Sequence, residues 1–279
     1  MQVTIQEPLN LRESLESGQA HRWRKVNGYY SGFIQNNLVH IGQHDKTLCI
    51  ETASKNIVED DYHKYLRLDD DLGYIYSHIN KDERVKSMTA KYNGLRLLRQ
   101  DPWECLITFI CSSTTNMKRI SLMVENMSTY FGNKLQLNDD VRYSFPSPED
   151  ISNSDEFKLR ELGLGFRAPY VLDCAIKVSK GELNLQELLA LPYGDAKTQL
   201  MKLRGVGPKI ADCALVFSLD KLEAFPIDVW VKRALCDWYF PNQTPPSNQQ
   251  LQIWANEYFG EYAGYSQQYL FHGRRLLNS

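Results

Sequence analysis

Two residues in this chain are placed as a nucleophile and its carboxylate partner would be. Lys209 stands directly after the turn Gly205-Val206-Gly207-Pro208, and Asp228 follows nineteen residues later (228 minus 209), just after Pro226. An amine attacks only in its neutral form, and an unpaired lysine, with a pKa of about 10.4, is almost wholly charged at neutral pH. Burial or neighbouring cations must therefore lower that value. The run Ile210 to Leu219 is nearly all apolar and offers burial, and Lys202 and Arg204 offer positive charge. The same two residues also read as a solvated lysine and an ordinary capping aspartate, so spacing alone leaves both possibilities open.

The local sequence says what holds the pair. Gly205 and Gly207 let the backbone turn tightly and approach another molecule closely. Pro208 fits the first turn of a helix, where its missing N–H costs nothing. A glycine turn feeding a helix start leaves N–H groups unpaired at the positive end of the helix dipole, a combination that binds phosphate. The helix that follows should be buried on most sides. Asp228 is placed to N-cap a second helix running from Val229 towards Tyr239.

The remainder of the chain divides in two. After a short capped helix, Leu11 to Glu16, β-rich runs occupy Trp23–Val26, Tyr29–Ile34, Leu38–Ile41 and Thr47–Glu51. Asn27-Gly28 and Asn36-Asn37 read as turns between them, giving an antiparallel sheet. Helical patterns follow at Tyr62–Leu66, Leu72–Ile79 and Asp82–Tyr92, and the domain boundary is placed at Gly94, so that residues 1–94 form a β-rich domain and 95–279 a helical one. In the second part Pro102 to Cys111 is apolar nearly all round and belongs in the core. Helices are also expected at Met117–Phe131, Ser147–Leu162, Ala168–Ser179, Leu185–Leu191, Gln249–Phe259 and Tyr262–Leu277, with a proline-rich loop over Pro241–Ser247. The fold class is α+β.

Composition narrows the function classes. Of 279 residues, 43% are hydrophobic and 24% charged, which is ordinary for a globular protein, and no apolar run approaches the roughly 20 residues of a membrane span. The net charge of −2 argues against a general polyanion binder, so any nucleic-acid contact must come from local basic patches. The six cysteines, Cys49, Cys105, Cys111, Cys174, Cys213 and Cys236, form no CxxC and suit neither zinc nor an iron–sulfur cluster. They read as reduced, mostly buried thiols. The first residues lack the basic and apolar pattern of a signal peptide, and the expected location is a prokaryotic cytoplasm, or the nucleus of a eukaryote.

The stretch LRGVGPKIADC…PIDV resembles the helix-hairpin-helix, Gly/Pro-rich loop and aspartate of the DNA glycosylase superfamily, with the hairpin at about 196–219. It is similar in particular to the 8-oxoguanine DNA glycosylase branch. The segments SGQAHRW, NGLRLLRQDPWECLITFICSS, LGLGFRAPYV and YAGYSQQYLF carry the same resemblance, in order, from about Ser17 to Phe271. It implies a β-rich N-terminal domain packed on a helical catalytic domain. It also implies a bifunctional glycosylase and abasic-site lyase of base excision repair, with Lys209 as nucleophile and Asp228 as its helper, acting on double-stranded DNA that contains oxidised guanine. Glycosylases that only hydrolyse the base generally lack this lysine. No cofactor, catalytic metal or membrane is implied, and the protein is expected to act as a monomer.

The resemblance assigns further residues. Gly18, Cys213, Gln267 and Phe271 would form the base pocket. The Gly18 carbonyl would accept from N7–H of 8-oxoguanine, where normal guanine has a lone pair that a carbonyl repels. Gln267 would read the Watson–Crick edge, Phe271 would stack on one face of the base, and Cys213 would lie on the other. Asn116, Arg119, Phe166 and Arg167 would fill the space left by the flipped nucleotide and grip the orphaned cytosine. Gly205 and Gly207 would hold the DNA backbone, and Trp230 stands where animal enzymes have a phosphate-binding histidine. Thr114 replaces their asparagine and Phe166 their tyrosine, departures that bear on the strictness for cytosine. Two other readings stay open: a glycosylase for another damaged purine, such as an alkylated base, and a non-catalytic lesion-DNA-binding protein.

Overall fold

The computed structural model describes residues 1–54 and 57–276. The N-terminal part is an antiparallel five-stranded sheet in the order β1-β5-β4-β3-β2, built from β1 (Gln2–Thr4), β2 (Arg24–Val26), β3 (Tyr29–Ile34), β4 (Asn37–His44) and β5 (Thr47–Thr52). Helix α1 (Leu11–Glu16) lies between the first two strands and is capped by Asn10, whose side chain accepts from the Glu13 N–H. Both two-residue turns take the left-handed backbone that tight hairpins require, with φ of 47° and 91° at Asn27-Gly28 and 46° and 62° at Gln35-Asn36. The second turn therefore sits one residue earlier than the sequence suggests, and Asn37 already belongs to β4. β1 was not expected. Its three residues are held by pairing with β5, and the Met1 amine donates to the Ile50 carbonyl at 2.7 Å.

Helices α2 (Glu59–Tyr65), α3 (Leu72–Ile79) and α4 (Glu83–Lys91) follow, then the helical body: α5 (Pro102–Cys111) and α6 (Met117–Phe131). A hairpin of β6 (Lys134–Leu137) and β7 (Asp140–Tyr143) comes next, absent from the sequence expectation because so short a pair signals weakly. The helix expected over 147–162 is two helices, α7 (Pro148–Ser152) and α8 (Glu156–Glu161), because Asp155 starts a new helix by accepting from Lys158 N–H. After α9 (Ala168–Ser179), the stretch expected to be helical at 185–191 forms only a single 3-10 turn, Glu187–Leu189. The last five helices are α10 (Tyr193–Leu200), α11 (Pro208–Ser218), α12 (Val229–Tyr239), α13 (Asn248–Phe259) and α14 (Ala263–Leu276). Leu277, expected at the end of the last helix, lies outside the described residues.

Packing does not divide the chain at Gly94. Residues of α3 and α4, including Leu72, Ile79 and Val85, belong to the core of the helical body, whereas Leu98 belongs to the core under the sheet. Charged side chains join the two parts. Arg22 lies 3.8 Å from the centre of the Phe33 ring, and Glu125 on α6 takes bonds from Arg22 at 3.1 Å, Arg24 at 2.8 Å and Arg142 at 2.6 Å. Within the body, α5 is buried from Trp103 to Cys111 except at Glu104, and it packs along α11. These two helices form the floor beneath Lys209.

Candidate active site

α10 and α11 form a helical hairpin, and its geometry explains the glycines. Gly205 has φ +81°, and a Cβ there would lie 2.5 Å from the Tyr170 ring, so only glycine fits. Gly207 begins α11 in extended backbone, and a Cβ there would meet nothing within 4 Å, so the space before the helix start is open. No side chain caps α11. The run Ile210–Ser218 is buried throughout, including Asp212, which sequence reading passed over as part of an apolar stretch. Asp212 accepts from Lys197 Nζ at 2.8 Å and Tyr193 Oη at 2.8 Å, tying α10 to α11 one turn beyond Lys209. A buried carboxylate needs such partners, and Lys197 Nζ also donates to Tyr193 Oη at 2.9 Å, which closes the cluster.

Lys209 points to the C-terminal end of α5. Its Nζ donates to Ser112 Oγ at 2.9 Å and lies 5.2 Å from the centre of the Phe109 ring. Ser112 in turn donates to the Phe109 carbonyl at 2.7 Å, which leaves its oxygen lone pairs for the lysine. Asp228 caps α12: Oδ1 accepts from Trp230 N–H at 2.9 Å and Val231 N–H at 2.8 Å. Both bonds fall on one oxygen, and Oδ2 takes none among the described residues. Burial raises the Asp228 pKa above the usual carboxylate value. The Val231 N–H, the charge of Lys209 and the Trp230 N–H pull it back. Asp228 thus caps α12 through one oxygen, and its carboxylate lies within the field of Lys209.

Lys209 and Asp228, with Ser112 and Trp230, stand between two cavities. One, of about 880 Å³, opens past Met201, Ile227 and Ile253. The other, of about 670 Å³, is lined by Gly18, Cys213, Gln267 and Phe271, the four pocket residues of the sequence analysis, and by Asn116 at its edge. Cys213 lies one turn after Lys209 on the same face of α11, and burial pushes its thiol up to about 12 against the pull of Lys209, so it stays a neutral, apolar wall. Gly18 has φ +85°; a Cβ would sit 2.8 Å from Met117 Sδ and 3.4 Å from the Phe271 ring. Its carbonyl accepts no hydrogen bond from the described residues. The turn that carries it is pinned on both sides, by Gln268 Nε2 donating to the Ser17 carbonyl at 3.3 Å and Gln19 Nε2 donating to the Arg96 carbonyl at 2.8 Å. Gln267 is buried, and its Oε1 has no hydrogen-bond partner among the described residues.

Three further residues line this cavity that the sequence reading did not select. Ser112 and Phe109 are at the end of α5, in the quoted segment FICSS, and hold Lys209. His21, in the quoted SGQAHRW, sets its ring edge-on to Phe109 at 6.2 Å. Burial, then the charges of Lys209 and Arg275, push its pKa down to about 4, so it adds no third positive charge at neutral pH.

The residues assigned to fill the space beside a flipped nucleotide form a separate group. Asn116 caps α6 through a bond from Arg119 N–H at 3.0 Å, and Asn116 and Arg119 are both exposed. Phe166 is 50% exposed on the neighbouring loop. Arg167 is not displayed for a ligand: it is buried, its guanidinium donates to the Ser113 carbonyl, and it lies 4.3 Å from the centre of the Phe166 ring. To reach a base it must leave Ser113. Thr114, next to that carbonyl, has φ +52°, a strained conformation for a β-branched residue.

Comparison with known proteins settles the lineage. Residues 2–106 match the 8-oxoguanine DNA glycosylase N-terminal domain, and residues 107–257 match the HhH-GPD superfamily of base excision DNA repair proteins. The chain belongs to the 8-oxoguanine DNA glycosylase family. An N-glycosylase/DNA lyase of Saccharomyces cerevisiae is 34% identical over 81% of this chain and 67% of its own length. The N-glycosylase/DNA lyase OGG1 of Arabidopsis thaliana is 32% identical over 94% of this chain and 76% of its own. Among solved structures, the Clostridium acetobutylicum 8-oxoguanine glycosylase/lyase, bound to double-stranded DNA with cytosine opposite 8-oxoguanine, superimposes with a TM-score of 0.91 at 31% identity, covering 100% of this chain and 99% of that one. In this glycosylase family member the first match takes in the five-stranded sheet and α1 to α4 and ends inside α5, and the second runs from there into α13.

Proposed function

We propose that this protein excises 8-oxoguanine from duplex DNA and then cleaves the strand, with Lys209 as the nucleophile. One observation carries the residue assignment: Lys209 and Asp228 border the same cavity whose opposite wall holds the unpartnered Gln267 Oε1. A guanine-type base presents N–H donors along its Watson–Crick edge, and a buried acceptor without a partner is costly until such a base arrives. The Gly18 carbonyl, likewise without a donor, suits the N7–H that oxidation creates. An alkylated cationic purine would be poorly served by a cavity that also holds Lys209.

In this reading the neutral amine of Lys209 attacks C1′ of the flipped nucleotide, and the base departs with the electrons of the glycosidic bond. Asp228 stabilises the positive charge that develops on the sugar and takes a proton from the attacking amine. The sugar ring opens to a Schiff base, loss of a C2′ proton follows, and elimination of the 3′ phosphate breaks the strand. Neutral His21 and Cys213 leave Lys209 as the reactive group in this wall. The unpaired N–H groups at the start of α11 and the open space before Gly207 suit a DNA phosphate. Arg119 and Arg167 serve the opposite cytosine, Arg167 after exchanging the Ser113 carbonyl for the base, with Phe166 as wedge.

The test is borohydride trapping on a duplex with one 8-oxoguanine opposite cytosine. A covalent complex that is absent in Lys209→Gln is expected. Base release without a complex would demote Lys209 to a binding role, and undiminished cleavage by Lys209→Gln would overturn the assignment.

A further inference from the structure

The base cavity contains a charged group that the reaction described above does not use. Arg275 lines it, from the last turn of α14. Gln267, Phe271 and Arg275 are four residues apart, so they form one stripe along that helix, with Phe271 in the middle. The guanidinium is fixed from behind. Nη2 donates to the Glu16 carbonyl at 2.8 Å and lies 3.2 Å from His272 Nδ1, and His272 Nε2 is bonded to Glu13 Oε2 at 2.5 Å. Its front is poorly satisfied. Among the described residues Nη1 has only the thioether of Met117, at 3.4 Å, and Nε is buried with no partner. Nη1 also lies 3.5 Å from the point where a Cβ on Gly18 would stand, and the guanidinium is 5.9 Å from the centre of the Phe271 ring.

This stripe has a direction. In the reading above, a purine stacked on Phe271 turns its Watson–Crick edge to Gln267. Its imidazole end then faces the other end of the stripe, next to Gly18. Oxidation changes two atoms there: N7 gains a hydrogen and C8 gains a carbonyl oxygen. Gly18 supplies an acceptor for the first change. We propose that Arg275 supplies the donor for the second, as a specificity-determining residue that hydrogen-bonds O8 of the oxidised base. Undamaged guanine has only C8–H there and would leave that guanidinium donor unmatched, which is unfavourable. Discrimination then rests on two adjacent atoms of opposite polarity, read by two adjacent groups of opposite polarity.

The proposal rests on the 8-oxoguanine reading and is separable from it by experiment. Affinities are measured in the Lys209→Gln background, which halts chemistry, for duplexes carrying 8-oxoguanine, guanine or a tetrahydrofuran abasic analogue opposite cytosine. Arg275→Leu should lower the affinity for 8-oxoguanine relative to tetrahydrofuran by about tenfold or more, as expected for a hydrogen bond to a charged donor. The ratio for guanine should not fall with it, and Arg275→Lys should recover part of the loss. An equal fall for guanine would mean that Arg275 reads O6 or N7, and an unchanged ratio would mean that it reads nothing; either overturns the proposal. If Arg275→Leu melts well below its parent, the Arg275→Lys ratio alone decides. Failure of the parent protein to prefer 8-oxoguanine over tetrahydrofuran would refute the substrate reading itself, whatever Arg275 does.

Discussion

The two ends of the base cavity are built on opposite principles. At the hairpin end every reactive group is already engaged: Lys209 with Ser112, and Asp228 with two backbone amides. At the far end, Gln267 Oε1, Arg275 Nε and the Gly18 carbonyl lack hydrogen-bond partners among the described residues. In the proposed reaction the difference follows from their tasks. A nucleophile must be held before the substrate arrives, because orientation lowers the barrier only when it is already in place. A reading group discriminates best when the correct base satisfies it and the wrong base leaves it unpaired.

Substitutions at the two ends should therefore fail in different ways. Lys209→Gln should abolish the borohydride adduct while lesion binding persists; equal loss of both would erase the distinction between the ends. Asp228→Asn should lower single-turnover excision by about 10²–10³-fold, the scale for losing one stabilising charge contact. Asparagine also caps helices, so its thermal midpoint should stay close to the parent's; a large drop in midpoint would make Asp228 primarily structural. At the reading end, Gln267→Ala should weaken binding to an 8-oxoguanine duplex by about tenfold, with little change for the tetrahydrofuran duplex.

Two smaller effects concern charge and strain around the cavity. His21 binds its proton less readily when folded, since its pKa falls from about 6.5 to about 4. The unfolded chain thus holds more protons between these values, and stability contributed above pH 6.5 is lost as pH falls towards 4. His21→Phe should flatten this loss, seen as a smaller drop in thermal midpoint between pH 7 and pH 5. The raised pKa of Asp228 has the matching kinetic sign: the acid limb of excision should lie above the ordinary aspartate value of about 3.9. Thr114→Asn should stabilise the fold by about 1 kcal/mol, because asparagine tolerates the left-handed backbone that threonine resists. An unchanged midpoint would show that the loop relaxes in solution.

The hairpin was legible from sequence because its determinants are local. A positive φ needs Gly205, a first helical turn accepts Pro208, and a cap needs Asp228; each acts within a few residues. The strands and most helices were legible for the same reason, since periodicity and turn residues act over short windows. What failed was decided by contacts from afar. β1 depends on the edge offered by β5, and α3 and α4 join the helical core because their apolar faces meet α14 rather than the sheet. Arg167 read as a free arginine, yet the Ser113 carbonyl takes it 54 residues away. Asp212 read as one polar residue in an apolar helix until Lys197 and Tyr193 closed on it. Arg275 drew no notice at all: nothing in its neighbourhood along the chain distinguishes it, and it enters the cavity because Glu16, 259 residues earlier, holds its guanidinium there. The sequence by itself determined where Lys209 and Asp228 stand and the scaffold that presents them, because both are written in neighbouring residues. The tertiary structure alone decided which polar groups are satisfied and which wait for a ligand, because that depends on partners brought together from opposite ends of the chain.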